Sequence, residues 1–216
     1  MSQQFTSPGV TTSSPARDAA TAPTRPPAAP AADADLYEVR RRPLSTAEAD
    51  EVMEQIRRSS AITGYSAAEW TGGRDTFVLV HKATGRLAGA LLVHHLLGRW
   101  SEIAVVFVLE EHRGRGLGRR MLHGALGSLR AMDRDLLLFF SSDTMGRICA
   151  EAGFSVSASE ADFVRGSLAR AFHLKVVYKI QWLSNAYRLR EMRRKRRAFQ
   201  CSFEFRVAAL TSEGNR

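Results

Sequence analysis

Apolar and polar side chains begin to alternate at Leu36-Tyr37-Glu38-Val39-Arg40, which predicts a half-buried strand. Ser45-Thr46-Ala47-Glu48 then sets a hydroxyl three residues ahead of a carboxylate, a capping box, and Val52, Met53 and Ile56 follow at helical spacing. Residues 76–81 and 86–97 are rich in strand formers and flank Lys82-Ala83-Thr84-Gly85, which reads as a hairpin turn. A third such run, 102–109, follows Gly98-Arg99, so the three runs predict an antiparallel meander. Leu117, Met121, Leu122, Ala125, Leu126 and Leu129 recur at three- and four-residue spacing, the stripe of a helix packed on one face. The continuous apolar run 136–140 predicts a strand buried on both faces. A helix over 143–152 is expected to stop at Gly153, with Phe154 opening another strand. A short helix from about Ser159 and a strand over 173–180 come next. Residues 181–199 read as helix, and Cys201, Phe203, Phe205 and Val207 alternate with Ser202, Glu204 and Arg206 as in a further strand. Either this strand or 173–180 can close the central sheet.

Composition separates the ends from this patterned middle. Six of the seven prolines lie at or before Pro30, where large apolar residues are almost absent, so residues 1–35 are expected to form a disordered tail. That tail has no apolar core of a secretory signal and is not expected to act as one. The weakly polar run 87–98 contains His94 and His95 and falls short of the roughly 20 apolar residues of a bilayer-spanning helix, so no membrane segment is expected. Cys149 and Cys201 are the only cysteines, which favours a reducing compartment and makes the cytoplasm the default. Of the formal charge of +9, the larger share falls in the last 36 residues, where nine Lys/Arg stand against three Asp/Glu.

The informative unit is strand, glycine-rich turn, helix over 102–130. Gly114, Gly116 and Gly118 before a helix allow bare backbone N–H groups to approach phosphate oxygens, with the helix N-terminus adding favourable electrostatics. A nucleoside triphosphate loop would need Gly-Lys-Ser/Thr, and a dinucleotide site an acidic residue closing the next strand. Neither is present.

Arg113-Gly114-Arg115-Gly116-Leu117-Gly118 resembles the acyl-CoA pyrophosphate loop, Arg/Gln-x-x-Gly-x-Gly/Ala, of the GNAT N-acetyltransferases. The element order from Leu36 and the later Gly153-Phe154 resemble that family too, over roughly 36–180. The resemblance implies an α/β fold of layered α+β type, with a mixed, mostly antiparallel central sheet flanked by helices. It implies acetyl-CoA as acyl donor and no metal. Phe107 and Val108 would pair through their backbones with the pantetheine arm, residues 114–118 would hold the pyrophosphate, and Arg113, Arg115, Arg119 and Arg120 would concentrate charge around it.

Acyl transfer to an amine needs a base, because an alkylammonium with a pKa near ~10.4 cannot attack while protonated. Glu102, eleven residues before Arg113 at the start of the fourth strand, is the candidate the resemblance implies; His94 and His95 are alternatives. The family often places a tyrosine four residues before the Gly-Phe pair to protonate the departing thiolate. Here Cys149 holds that position, either as a replacement acid or as a small core residue. The expected organisation is a tail over 1–35, an acetyltransferase domain over 36–180, and a basic helix with a possible strand over 181–216. Two functions remain: N-acetyltransferase acting on a primary amine of a small molecule or protein, or a non-catalytic module docking on RNA, a ribonucleoprotein or another polyanion through 188–197. Oligomerisation is left open.

Overall fold

The computed structural model describes residues 35–183, 185–199 and 205–212. The proline-rich tail, apart from Asp35, and the alternating residues Cys201 and Phe203 lie outside the described residues. A seven-stranded sheet runs in the order β1-β2-β3-β4-β5-β7-β6. Its strands are β1 (Tyr37–Arg41), β2 (Thr76–His81), β3 (Leu87–His95), β4 (Trp100–Val108), β5 (Asp135–Phe140), β6 (Ser155–Ser157) and β7 (Arg206–Leu210). Among the described residues only β4 and β5 pair in parallel; the other neighbouring pairs are antiparallel.

Helices cover both faces. α1 (Thr46–Arg58) begins at Ser45 with the expected capping box, the hydroxyl accepting from the Glu48 N–H while the Glu48 carboxylate accepts from the Ser45 N–H. α2 (Ala67–Gly72) begins at a second such box, Ser66 and Glu69. These two helices bury Val52, Ile56 and Trp70 with Tyr65 against Val78, Val80, Leu92, Val105 and Phe107. On the other face, α3 (Leu117–Arg130) and α4 (Asp143–Glu151) pack Met121, Leu122, Ala125, Ile148 and Cys149 on Leu79, Leu91, Ile103 and Leu138. Gly153 ends α4 at φ +87°, as expected of a left-handed helix stop.

The second half differs from expectation in two ways. Residues 173–180 are not a strand: His173–Tyr178 is a π-helical turn leading into α7 (Lys179–Leu183), preceded by α5 (Glu160–Val164) and α6 (Leu168–Phe172). Leu174 is buried and Tyr178, one turn on, stacks on Phe139, while Val176 and Ile180 are exposed; packing at helical spacing overrides the strand preference of the valines. The closing strand is β7, inserted between β5 and β6, so the core is not complete at residue 180. The basic helix, α8 (Ala186–Phe199), leads to this strand and is anchored to the body. Its Lys195 is fully buried, with the ammonium donating to the carbonyls of Ile56, Ser59 and Ile62 where α1 ends. A cation there meets carbonyls at the end of the helix and the negative end of its dipole. Glu191 lies against Gly64, where an added Cβ would come within 2.6 Å of Glu191 Cγ and where φ is +110°.

Candidate active site

β4 and β5 pair only from Trp100↔Asp135 to Glu102↔Leu137. Beyond Glu102 they part, and a cavity of about 500 Å³ opens between Ile103–Val106 on one side and Leu138–Phe140 on the other. The split leaves one edge of β4 without a strand partner, so its polar backbone groups are available to a ligand. A bulge sets which side chains line it. Leu92 pairs with Val105 but Val93 with Ile103, so Ala104 is the extra residue of β4, and the Tyr65 hydroxyl donates to its carbonyl. The extra residue shifts the alternation: Ile103 packs with Val106 and Val108 toward α3, while Glu102 faces the side of Val105, Phe107 and Tyr65.

From Glu102 to Val108 is six residues, roughly 20 Å of strand. At that far end the chain passes a short 3-10 turn, Glu110–His112, and enters the glycine loop. Gly114 and Gly116 have φ of +80° and +72°, and Gly116 caps α3 without a side chain. The first-turn amides of α3, at Leu117, Gly118 and Arg119, therefore point out of the helix end. A Cβ added at Gly114 or Gly116 would meet no protein atom within 4 Å, and at Gly118 only Val108 Cγ2 at 3.9 Å. Gly114 and Gly116 are required by backbone conformation, whereas nothing in the protein's own packing requires Gly118. Arg113 Nε donates to the Val108 carbonyl and its guanidinium lies over the Phe107 ring; Arg115 reaches the Tyr37 hydroxyl; Arg119 pairs with Glu151 and Arg120 with the Tyr37 carbonyl and Asp35.

Glu102 is 4% exposed and is the hub of a polar cluster. Antiparallel register sets it opposite His94, whose Nδ1 lies 3.4 Å from Glu102 Oε2. The Tyr178 hydroxyl donates to Oε1 at 2.9 Å. Arg188 Nη2 donates to Glu69 Oε1 at 3.0 Å and lies 2.7 Å from His94 Nδ1, with the guanidinium over the Tyr65 ring. Burial by itself would raise the Glu102 carboxyl, but hydrogen bonding to His94 and Tyr178 and the charge of Arg188 outweigh it and hold the group below its ordinary value. Burial and the Glu102 carboxylate push the Tyr178 hydroxyl well above its ordinary value, so it keeps its proton. His95, on the neighbouring position, contacts Asp75 and Ser101 instead.

Of the two roles open to Cys149, its position is that of the small core residue. It is fully buried in the core under α4, does not line the cavity, and burial pushes its thiol up to about 11. Met145, one turn earlier, is the α4 residue that reaches the cavity wall. Tyr178, Arg188 and Glu69 have no signal in the sequence because they join the cluster around Glu102 and His94 from elements more than 30 residues away from Glu102. α8 itself splits by face: Arg188, Met192 and Arg196, four residues apart, line the cavity, while Arg190, Arg193 and Arg197 are exposed on its outer side. Among the described residues no helix is long and apolar enough to cross a membrane.

A Mycobacterium tuberculosis protein, Rv2747, solved in complex with CoA and NLQ, has a similar structure, with a TM-score of 0.56 at 15% identity over 81% of this chain and 98% of its own. N-acetylglutamate synthase from Neisseria gonorrhoeae, complexed with coenzyme A and N-acetyl-glutamate, gives 0.52 at 15% identity over 80% of this chain. The chain spans only 34% of that synthase. At such identities the likeness is one of fold. No curated protein matches the chain. The acetyltransferase (GNAT) family profile matches residues 34–141, half of the sequence, from β1 through β5 with the parted strands and the glycine loop. The chain belongs to the acetyltransferase (GNAT) family.

Proposed function

We propose that this protein is an N-acetyltransferase that moves the acetyl group of acetyl-CoA to a primary amine. The observation that carries the reading is a buried, ionised carboxylate, Glu102, at the point where β4 and β5 part and on the wall of the cavity between them, with the far end of β4 leading through the glycine loop to the N-terminus of α3, which no side chain caps. In this reading the pyrophosphate sits at the first turn of α3 and the pantetheine runs along the open edge of β4. The thioester then lies near Glu102. Glu102 draws in the ammonium and takes its proton, directly or through water. The freed amine attacks the thioester carbonyl, a C–N bond forms, the C–S bond breaks and CoA leaves as thiolate. The Tyr178 hydroxyl on the same wall keeps its proton and holds Glu102 in place, so the thiolate regains its proton from water, a task Cys149 does not share.

Thiol release from acetyl-CoA in the presence of amines tests this. Glu102→Gln should lower kcat by roughly 10²–10⁴-fold and leave CoA affinity intact. An unchanged kcat with an accepted amine eliminates Glu102 as the base.

A second reading, docking on RNA through α8, is favoured by one observation: Arg190, Arg193 and Arg197 are exposed with no ion pair among the described residues. Three phosphate contacts on single-stranded RNA would give a log–log salt slope of about −2. Binding indifferent to Arg193→Ser and to salt removes this reading.

A further inference from the structure

We infer that the acceptor carries a carboxylate close to its reacting amine, as an α-amino acid does, and that Arg188 binds this carboxylate beside Glu102. The inference rests on the N-acetyltransferase reading and narrows its substrate class.

Arg188 is 6% exposed and lines both the cavity between β4 and β5 and a neighbouring one of about 490 Å³ that also touches Glu102, His94 and Tyr178. Its Nη2 serves Glu69 and His94, but its buried Nε has no hydrogen-bond partner among the described residues. A buried guanidinium N–H without an acceptor is costly, and a carboxylate is the partner whose planar geometry a guanidinium fork matches best. The spacing fits one small molecule. Glu102 Oε2 and Arg188 Nη2 approach the same imidazole nitrogen, His94 Nδ1, at 3.4 Å and 2.7 Å. An α-amino acid holds its amine and carboxylate on one carbon, so it can present the ammonium to Glu102 and the carboxylate to Arg188 together.

The rest of the wall agrees in sign. Lys179 and Arg196 line the same cavity without an ion pair among the described residues, against one unpaired acid, Glu160. A polyamine or a lysine-rich peptide would have to place its further positive charges among Lys179, Arg188 and Arg196, whereas a carboxylate is drawn to them.

The test compares L-alanine, L-glutamate and L-lysine with their α-carboxamides, and with spermidine, as acceptors in a thiol-release assay with acetyl-CoA. The free acids should exceed their amides by about 10–100-fold in kcat/KM, the range expected when a charged hydrogen-bond partner is lost, and spermidine should be the poorest acceptor. Arg188→Gln should raise KM for the acids by a similar factor and narrow the gap to the amides. Because Arg188 also holds Glu69 and His94, acetyl-CoA binding by calorimetry verifies that this variant folds. Lys179→Ser with Arg196→Ser, at exposed positions, provides a second variant that should raise KM for glutamate more than for lysine. Amides or spermidine accepted as well as the acids would overturn the inference and leave the N-acetyltransferase reading standing. Amino acids that bind to the CoA-loaded protein through Arg188, with no thiol released, would support the site and sink the catalytic reading. No binding and no turnover of any amino acid would overturn the inference.

Discussion

Gly118→Ala separates a glycine needed by the fold from one needed by a ligand. Gly118 is the second residue of α3, in ordinary helical conformation, and the added Cβ would find only Val108 Cγ2 at 3.9 Å. Alanine is favoured over glycine in a helix by about 0.8–1 kcal/mol, so the variant should gain stability, with a Tm higher by about 2–4 °C in a chain of this size. Cβ atoms in a helix lean toward its N-terminus, which is where the pyrophosphate would lie. The methyl group would then hold a phosphate oxygen away from the first-turn amides. Losing one hydrogen bond to a charged group costs about 1.5–3 kcal/mol, or roughly 10–150-fold in Kd. Thermal melting gives the first quantity and calorimetry with acetyl-CoA the second. The expected outcome is opposite signs: a more stable protein that binds more weakly. A higher Tm with unchanged Kd would refute phosphate approach at this residue, and a lower Tm would mean that the packing argument is wrong.

Two further predictions concern anchoring and pH. Lys195→Met removes the ammonium from the carbonyls of Ile56, Ser59 and Ile62, of which Ile56 keeps the Ser59 N–H, and should destabilise the protein by about 1–3 kcal/mol, while Arg193→Ser on the outer face of α8 should stay within about 0.5 kcal/mol; equal effects in chemical denaturation would refute the anchoring role. The Arg42 guanidinium, hydrogen-bonded at 2.7 Å to both oxygens of Glu48, and the capping N–H of Ser45 hold that carboxyl down at about 2. A depressed folded value means the stabilisation is complete above the unfolded carboxyl's pKa, ~4.3, and fades as pH falls toward 2. Glu48→Gln should therefore cost about 1 kcal/mol at pH 7, progressively less as pH falls through 2 and nothing well below it, and a difference that persists in acid would show that the ion pair is not its source.

Much of the fold is written in short-range pattern. The capping box at Ser45, the meander of β2 to β4, the stripe of α3, the apolar run of β5 and the glycine that ends α4 each depend on residues within one or two turns, so periodicity alone locates them. The glycine loop belongs to this class too, since its conformation is set by the positive φ of Gly114 and Gly116 and its place by the helix that follows. The position of Glu102 at the head of β4 was legible for the same reason. Its environment was not. Which face it points to depends on one extra residue at Ala104, and a bulge leaves no mark in the alternation until the partner strand fixes the register. Tyr178 and Arg188 reach it across separations of 76 residues or more, along helices whose valines and arginines read as a strand and a solvated tail. The identity of the closing strand was decided in the same way. Residues 173–180 and the segment around β7 carry similar strand propensity, and only the apolar surface offered by Phe139 and the free edge of β5 selects which becomes helix and which enters the sheet. Local sequence fixes a residue's conformation where near neighbours dominate its energy; where burial against distant elements dominates, the tertiary structure decides.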